Sequence, residues 1–178
     1  MTYRVFLSET VEMKESLSTS LTPADQDRDS RRRWREIQRE YDAIEKRHTD
    51  PRSGDAVHAA ATRLLSFFGL AYHLKDGLIA DSAAHGISTK DIEDAITADD
   101  TLALLADLAN LDKHFVLTKP PRSGDIPVIG PVHDESTDDN GWQLVMPIVH
   151  KGTTKDGLAV ARQTVDAWRV LLAGWGLP

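Results

Sequence analysis

The sequence predicts a mainly α protein, a four-to-five-helix up-and-down bundle with a small β-hairpin inserted before the last helix. Three observations carry this. Apolar residues recur at alternating steps of three and four over several long segments, the period of helices that bury one face. Stretches rich in Pro and Gly, TDPRSGD at 49–55 and KPPRSGD at 119–125, separate those segments. Trp142, Leu144, Met146 and Ile148 alternate with polar residues, the period of a strand.

Residues 1–22 read as a tail or short strand (TYRVFL) followed by a Ser/Thr-rich linker, and 23–178 as a single helical domain. Thr22-Pro23 has the chemistry of a helix start, a hydroxyl cap with Pro in the first turn. The first helix is expected to reach about Arg47, with Trp34, Ile37, Tyr41 and Ile44 on one narrow buried face. A second helix over 55–81 carries two apolar stripes and is expected to be central. Its remaining strip reads Ser66, Gly69, His73, Asp76, Ala80. Residues 82–97 read as a loop or broken helix. The third long helix, 97–117, buries Leu104, Leu108, Leu111 and Phe115, and consecutive prolines stop it. PVIGPV at 127–132 can pair with a strand at 142–149 as a short, proline-interrupted edge. The last helix, about 155–175, carries Leu158, Ala161, Val165, Trp168, Leu172 and Trp175 in one seam.

Composition excludes several functions. Among 178 residues, 40% are apolar and four are Trp, enough for a core. A formal net charge of −7 argues against indiscriminate coating of nucleic acid, though it leaves room for a local basic patch. With no cysteine there is no thiol catalysis, disulfide or Cys-zinc site. No apolar run reaches the length of a membrane span, and the first residues lack the apolar core of a secretion signal. A soluble cytoplasmic protein without membrane contact is expected.

The candidate chemistry lies in LADLANLDKHFVLTK, 105–119. Asp107, Asn110 and His114 stand three and four residues apart, on one stripe about 100° from the leucines. His114 is the one residue of the three whose type ordinarily changes charge near neutral pH, Asn110 offers a donor and an acceptor, Asp107 can orient Asn110, and Lys113 can bind an anion. The purely structural alternative is that the Asn110–His114 pair pins the PPRSGD turn or the strand. His73 and Asp76, one turn apart in YHLKD, form a second polar pair, and the helices carrying the two sets are expected to face each other. Two His and two carboxylates suit several divalent ions, but no HExxH-type spacing accompanies them, so neither metal nor cofactor is expected. Arg31, Arg32 and Arg33, with Arg35 nearby, form the other feature. They read as a solvated face or as a phosphate-binding patch with Trp34 as its stacking neighbour. PRSGD occurs twice, at 51–55 and 121–125, as turn composition reused.

The order of elements and NLDKH at 110–114 resemble the HEPN superfamily of small helical bundles. That resemblance implies a dimer and, in many members, a metal-independent RNase or toxin of bacterial defence and toxin–antitoxin systems; other members are non-catalytic. Asn110 and His114 match the polar residue and the His of the family motif, whereas Ala109 stands where the family has Arg. The expectation is a non-catalytic binding or regulatory module, a homodimer with a protein or small anionic partner. The alternative is an endoribonuclease in which Asn110 orients the scissile group of RNA and His114 moves the proton.

Overall fold

The computed structural model describes residues 28–48, 54–114, 120–136 and 142–177. The strand or tail expected at 1–22 and the Thr22-Pro23 helix start lie outside them. The first described helix, α1, is Arg28–His48, and its buried apolar side chains are the predicted Trp34, Ile37, Tyr41 and Ile44. Its first turn is held from a distance: the Ser30 N–H donates to the buried carboxylate of Asp81 at 3.0 Å.

The predicted second helix is divided. Helix α2 is Gly54–Tyr72 and α3 is Leu74–Ala80. At His73 ψ is −6°, and the Asp76 N–H bonds back only three residues, to the His73 carbonyl. A tightened turn of this kind redirects a helix. It lets α3 lie against α1 at Gly77, where an added Cβ would stand 3.0 Å from Arg33 Cδ and 3.3 Å from Ser30 Cα. Residues 82–97, expected to be a loop or broken helix, form a short turn of helix, α4 (Ser82–His85), and a full helix, α5 (Thr89–Ala98). Only Ile92 and Ile96 of α5 are buried, so its apolar period is too brief to read. Its start is nonetheless written as a capping box between Ser88 and Asp91.

Helix α6 is Asp100–His114. Asp99 caps it, accepting from the Thr101 and Leu102 N–H groups at 2.9 Å each. Every residue from Leu102 to Ala109 is buried, Asp107 included. Helix α6 packs on α2 and α5, and α7 (Gly157–Gly174) packs on α1, α2 and α6. The core is filled by Phe67, Phe68, Leu64, Leu105 and Trp168 from these helices.

The β region is larger than one hairpin. Strands β1 (Val128–Ile129), β4 (Pro147–His150) and β5 (Thr153–Asp156) form one antiparallel sheet in the order β1-β4-β5. Strands β2 (His133–Ser136) and β3 (Trp142–Val145) form another. The expected pairing of PVIGPV with the 142–149 segment occurs, with Val128 opposite Val149 and Ile129 opposite Ile148. The expected single strand is interrupted at Met146. Its N–H donates to Asp156 Oδ1 and its carbonyl accepts from Gly157 N–H, so the chain leaves one ladder and joins another. Between β4 and β5, Lys151 and Gly152 both have positive φ (49° and 70°), as a two-residue hairpin loop that follows strand twist requires. Asp156 ends β5 and caps α7 through Leu158 and Ala159 N–H. Gly157 begins that helix in close contact with Met146 and Leu64. No described helix is long and apolar enough to cross a membrane.

Candidate functional site

Two regions gather the predicted residues. The first surrounds the second PRSGD turn. Asp107, 2% exposed, accepts the Arg122 N–H at 2.8 Å and, from Ser123, the N–H at 2.8 Å and the hydroxyl at 2.6 Å. Its carboxylate therefore holds residues 121–125 against α6 instead of orienting Asn110. His150 lies on the far side of the same hydroxyl, its Nε2 2.8 Å from Ser123 Oγ. The hydroxyl has two acceptors, Asp107 at 2.6 Å and the Asp125 carbonyl at 3.1 Å; with its single proton given to either, its contact with His150 is satisfied by the tautomer that carries the proton on Nε2. Burial and the Lys151 charge lower the pKa of His150, with Asp125 and Asp107 opposing. Arg122 reaches Glu93 of α5 (2.7 Å), which also meets Lys75 of α3 (2.9 Å). Burial works against the Glu93 charge, but Lys75 and Arg122 together hold its carboxyl below the usual range. Asp125 accepts the Lys151 N–H at 2.8 Å. The turn is thus tied to α3, α5, α6 and the sheet.

Asn110 is half-buried at the edge of α6. Lys113 and His114 belong to its last turn, and their side chains lie outside the described residues. Ala109, at the position of the motif arginine, is 2% exposed inside the core. His73 and Asp76 stand on the surface of the α2–α3 junction, with Nδ1 2.6 Å from Asp76 Oδ2. Among the described residues no three His, Asp or Glu side chains come together as metal ligands.

The second region is a groove of about 780 Å³ between α1 and α7. Arg32, Arg35, Gln38, Arg39, Tyr41 and Asp42 line one side, and Val165 and Arg169 the other. Of the three predicted arginines, only Arg32 faces it. Arg33 turns toward Asp29 and Gly77, and the Arg31 carbonyl accepts from Arg35 Nε at 3.3 Å. Trp34 is 7% exposed, a core residue, so the expected stacking neighbour is missing. Arg32 shares Asp29 with Arg33, at 2.6 and 3.1 Å, and these bonds hold the Asp29 carboxyl below its usual range. Arg169 meets Asp166 at 2.5 Å. Among the described residues, Arg39 and Asp42 have no hydrogen-bond or ion-pair partner, and the Arg35 side chain bonds only to a backbone carbonyl. Tyr41 is held from α7 by Arg162, which donates to Tyr41 Oη (3.0 Å) and to Glu45 (2.6 Å). The Tyr41 hydroxyl and Arg162 lower the Glu45 pKa.

Arg39, Gln38, Asp42 and Arg169 were not singled out from the sequence. The signal in α1 was present: 32, 35, 39 and 42 recur at three and four residues and so share a face. Arg169 comes from a helix more than a hundred residues away in sequence, and only packing brings it there. The chain matches no known protein family, and no similar curated protein or solved structure was found.

Proposed function

We propose that the protein is a non-catalytic binding module, HEPN-like in its arrangement, whose ligand is an anion held in the α1/α7 groove. The observation that carries this is the pair of exposed guanidinium groups, Arg35 and Arg39, facing one groove without a carboxylate partner among the described residues. A guanidinium presents its donors as a rigid fork that fits phosphate and carboxylate oxygens two at a time. Arg32 and Arg169 flank them. Each shares an acid on its own helix, and that acid can be exchanged for a ligand oxygen at small cost because exposed ion pairs are weak. A local site of this kind is compatible with a net-acidic chain, since charges beyond about 10 Å are screened.

The burial of Ala109 supports the non-catalytic reading. Ala109 stands in the core where the resembled motif has Arg, so a nuclease would have to take its cation from elsewhere, Lys113 or the Arg31–Arg33 run of a second copy. The endoribonuclease alternative keeps Asn110 and His114, and RNA cleavage by the wild type but not by His114→Ala would establish it. For the groove, the probe is inorganic tripolyphosphate in calorimetric titration. Binding is expected to weaken with salt and to drop at least tenfold in Arg35→Ala/Arg39→Ala. No binding by the wild type, or equal binding by the variant, removes the proposal.

A further inference from the structure

Resting on the groove as an anion site, we infer that its ligand is a phosphorylated sugar, its phosphoryl group on Arg35 and Arg39 and a vicinal diol on Asp42. Asp42 is the residue a simple anion site does not explain. It lines the same groove, three residues after Arg39 and seven after Arg35, yet pairs with neither. Toward a polyphosphate or a nucleic-acid strand it is repulsive. A carboxylate only accepts hydrogen bonds, so its natural complement is a group with two donors close together. Two neighbouring hydroxyls supply them, one to each oxygen.

Charge and spacing agree. Arg32 and Arg169 are matched by Asp29 and Asp166. Arg35 and Arg39 are the two groove cations without an acid partner among the described residues, and a phosphate monoester carries about −1.5 to −2 at neutral pH. Along the helix axis Asp42 stands about 4.5 Å from Arg39 and about 10.5 Å from Arg35. A pentose or hexose ring between its phosphoryl and diol ends spans an interval of that order. Tyr41 and Val165, both largely buried, add apolar lining against which the C–H face of a sugar can rest, and Gln38 adds a donor and an acceptor. The groove, about 780 Å³, lies within the range of small-molecule sites, roughly 300–1,000 Å³. It has room for either source of this chemistry, a free sugar phosphate or the ribose of a 5′-nucleotide.

Titration of the full chain with ribose 5-phosphate, 2-deoxyribose 5-phosphate, adenosine 5′-monophosphate, inorganic phosphate and tripolyphosphate tests the assignment. Ribose 5-phosphate is expected to bind at least tenfold tighter than inorganic phosphate. Loss of the 2-hydroxyl, or Asp42→Ala, is expected to erase that advantage. The same variant should bind tripolyphosphate as well as the wild type or better, which also shows that it is folded. If adenosine 5′-monophosphate binds tighter than ribose 5-phosphate, the source is a nucleotide; if weaker, a free sugar phosphate. If tripolyphosphate binds but ribose 5-phosphate has no advantage over phosphate, or keeps it in Asp42→Ala, the sugar assignment is overturned while the anion site stands. If tripolyphosphate does not bind the wild type, both fall.

Discussion

Replacing Asp107 by alanine removes the group on which the second PRSGD turn depends. Three hydrogen bonds end on its carboxylate, from Arg122 N–H, Ser123 N–H and Ser123 Oγ–H, at 2.6–2.8 Å. A hydrogen bond to a charged group contributes about 1.5–3 kcal/mol. The three share one acceptor, and in the alanine variant water entering the vacated space can reach the half-buried Arg122 N–H, so they do not add in full. Ser123 is buried, and its N–H is left without an acceptor. A loss of about 3–4 kcal/mol results, combining lost bonds with an unsatisfied donor. For a domain of this size that lowers Tm by roughly 6–16 °C. Asp107→Asn keeps the shape but accepts through one neutral oxygen, and is expected to lose about half as much. Urea denaturation of the three proteins measures this, with Ser123→Ala completing a double-mutant cycle. A loss below about 1 kcal/mol for Asp107→Ala at unchanged m value, or additive effects of the two sites, would refute the reasoning.

Three further outcomes follow from the packing and the caps. Gly157→Ala places a Cβ 2.5 Å from Met146 Cε and 2.9 Å from Leu64 Cδ2, and should cost about 1–3 kcal/mol in chemical denaturation. Ser88→Ala removes the hydroxyl that accepts the Asp91 N–H and should cost about 1 kcal/mol, visible as earlier amide exchange in α5. His150 has a pKa lowered by burial below its ordinary 6.5, so the fold favours its neutral form. Its contribution is fully present above 6.5 and is lost as pH falls through the lowered value. His150→Gln retains an N–H donor toward Ser123 and should flatten that part of the stability–pH curve; an unchanged curve excludes the assignment.

The fold was legible where burial is periodic over many turns. Trp34, Ile37, Tyr41 and Ile44, and the seam from Ala161 to Leu172, stand where spacing placed them. It was less legible where a local interaction overrides the period. The apolar stripes of 55–81 run on through His73, because a tightened turn bends a helix without changing which residues are greasy. Helix α5 buries two side chains and announces itself only by its cap. The break at Met146 depends on Asp156, ten residues on, and no alternation pattern contains it. The candidate site divides in the same way. The stripe at 107, 110 and 114 was visible, and so was a structural tie to the PPRSGD turn, and the Asp107 carboxylate, which was not singled out for it from the sequence, makes that tie. The arginines of α1 were visible as a cluster. Which of them share a groove with Arg169 follows from how α1 meets α7, a fact of three dimensions.

The grip of Asp107 on residues 122 and 123 bears on how the chain comes apart. These two amides sit on a connecting turn, a place where solvent exchange is ordinarily fast. Here they point at a sealed carboxylate, beside a hydroxyl and an imidazole that link α6 to the sheet. Their protons can be released only when the helical part and the strand part let go of each other. Deuterium uptake at Arg122 and Ser123 should therefore be as slow as in the centre of α6, making a loop the reporter of whether this molecule opens piecemeal or all at once.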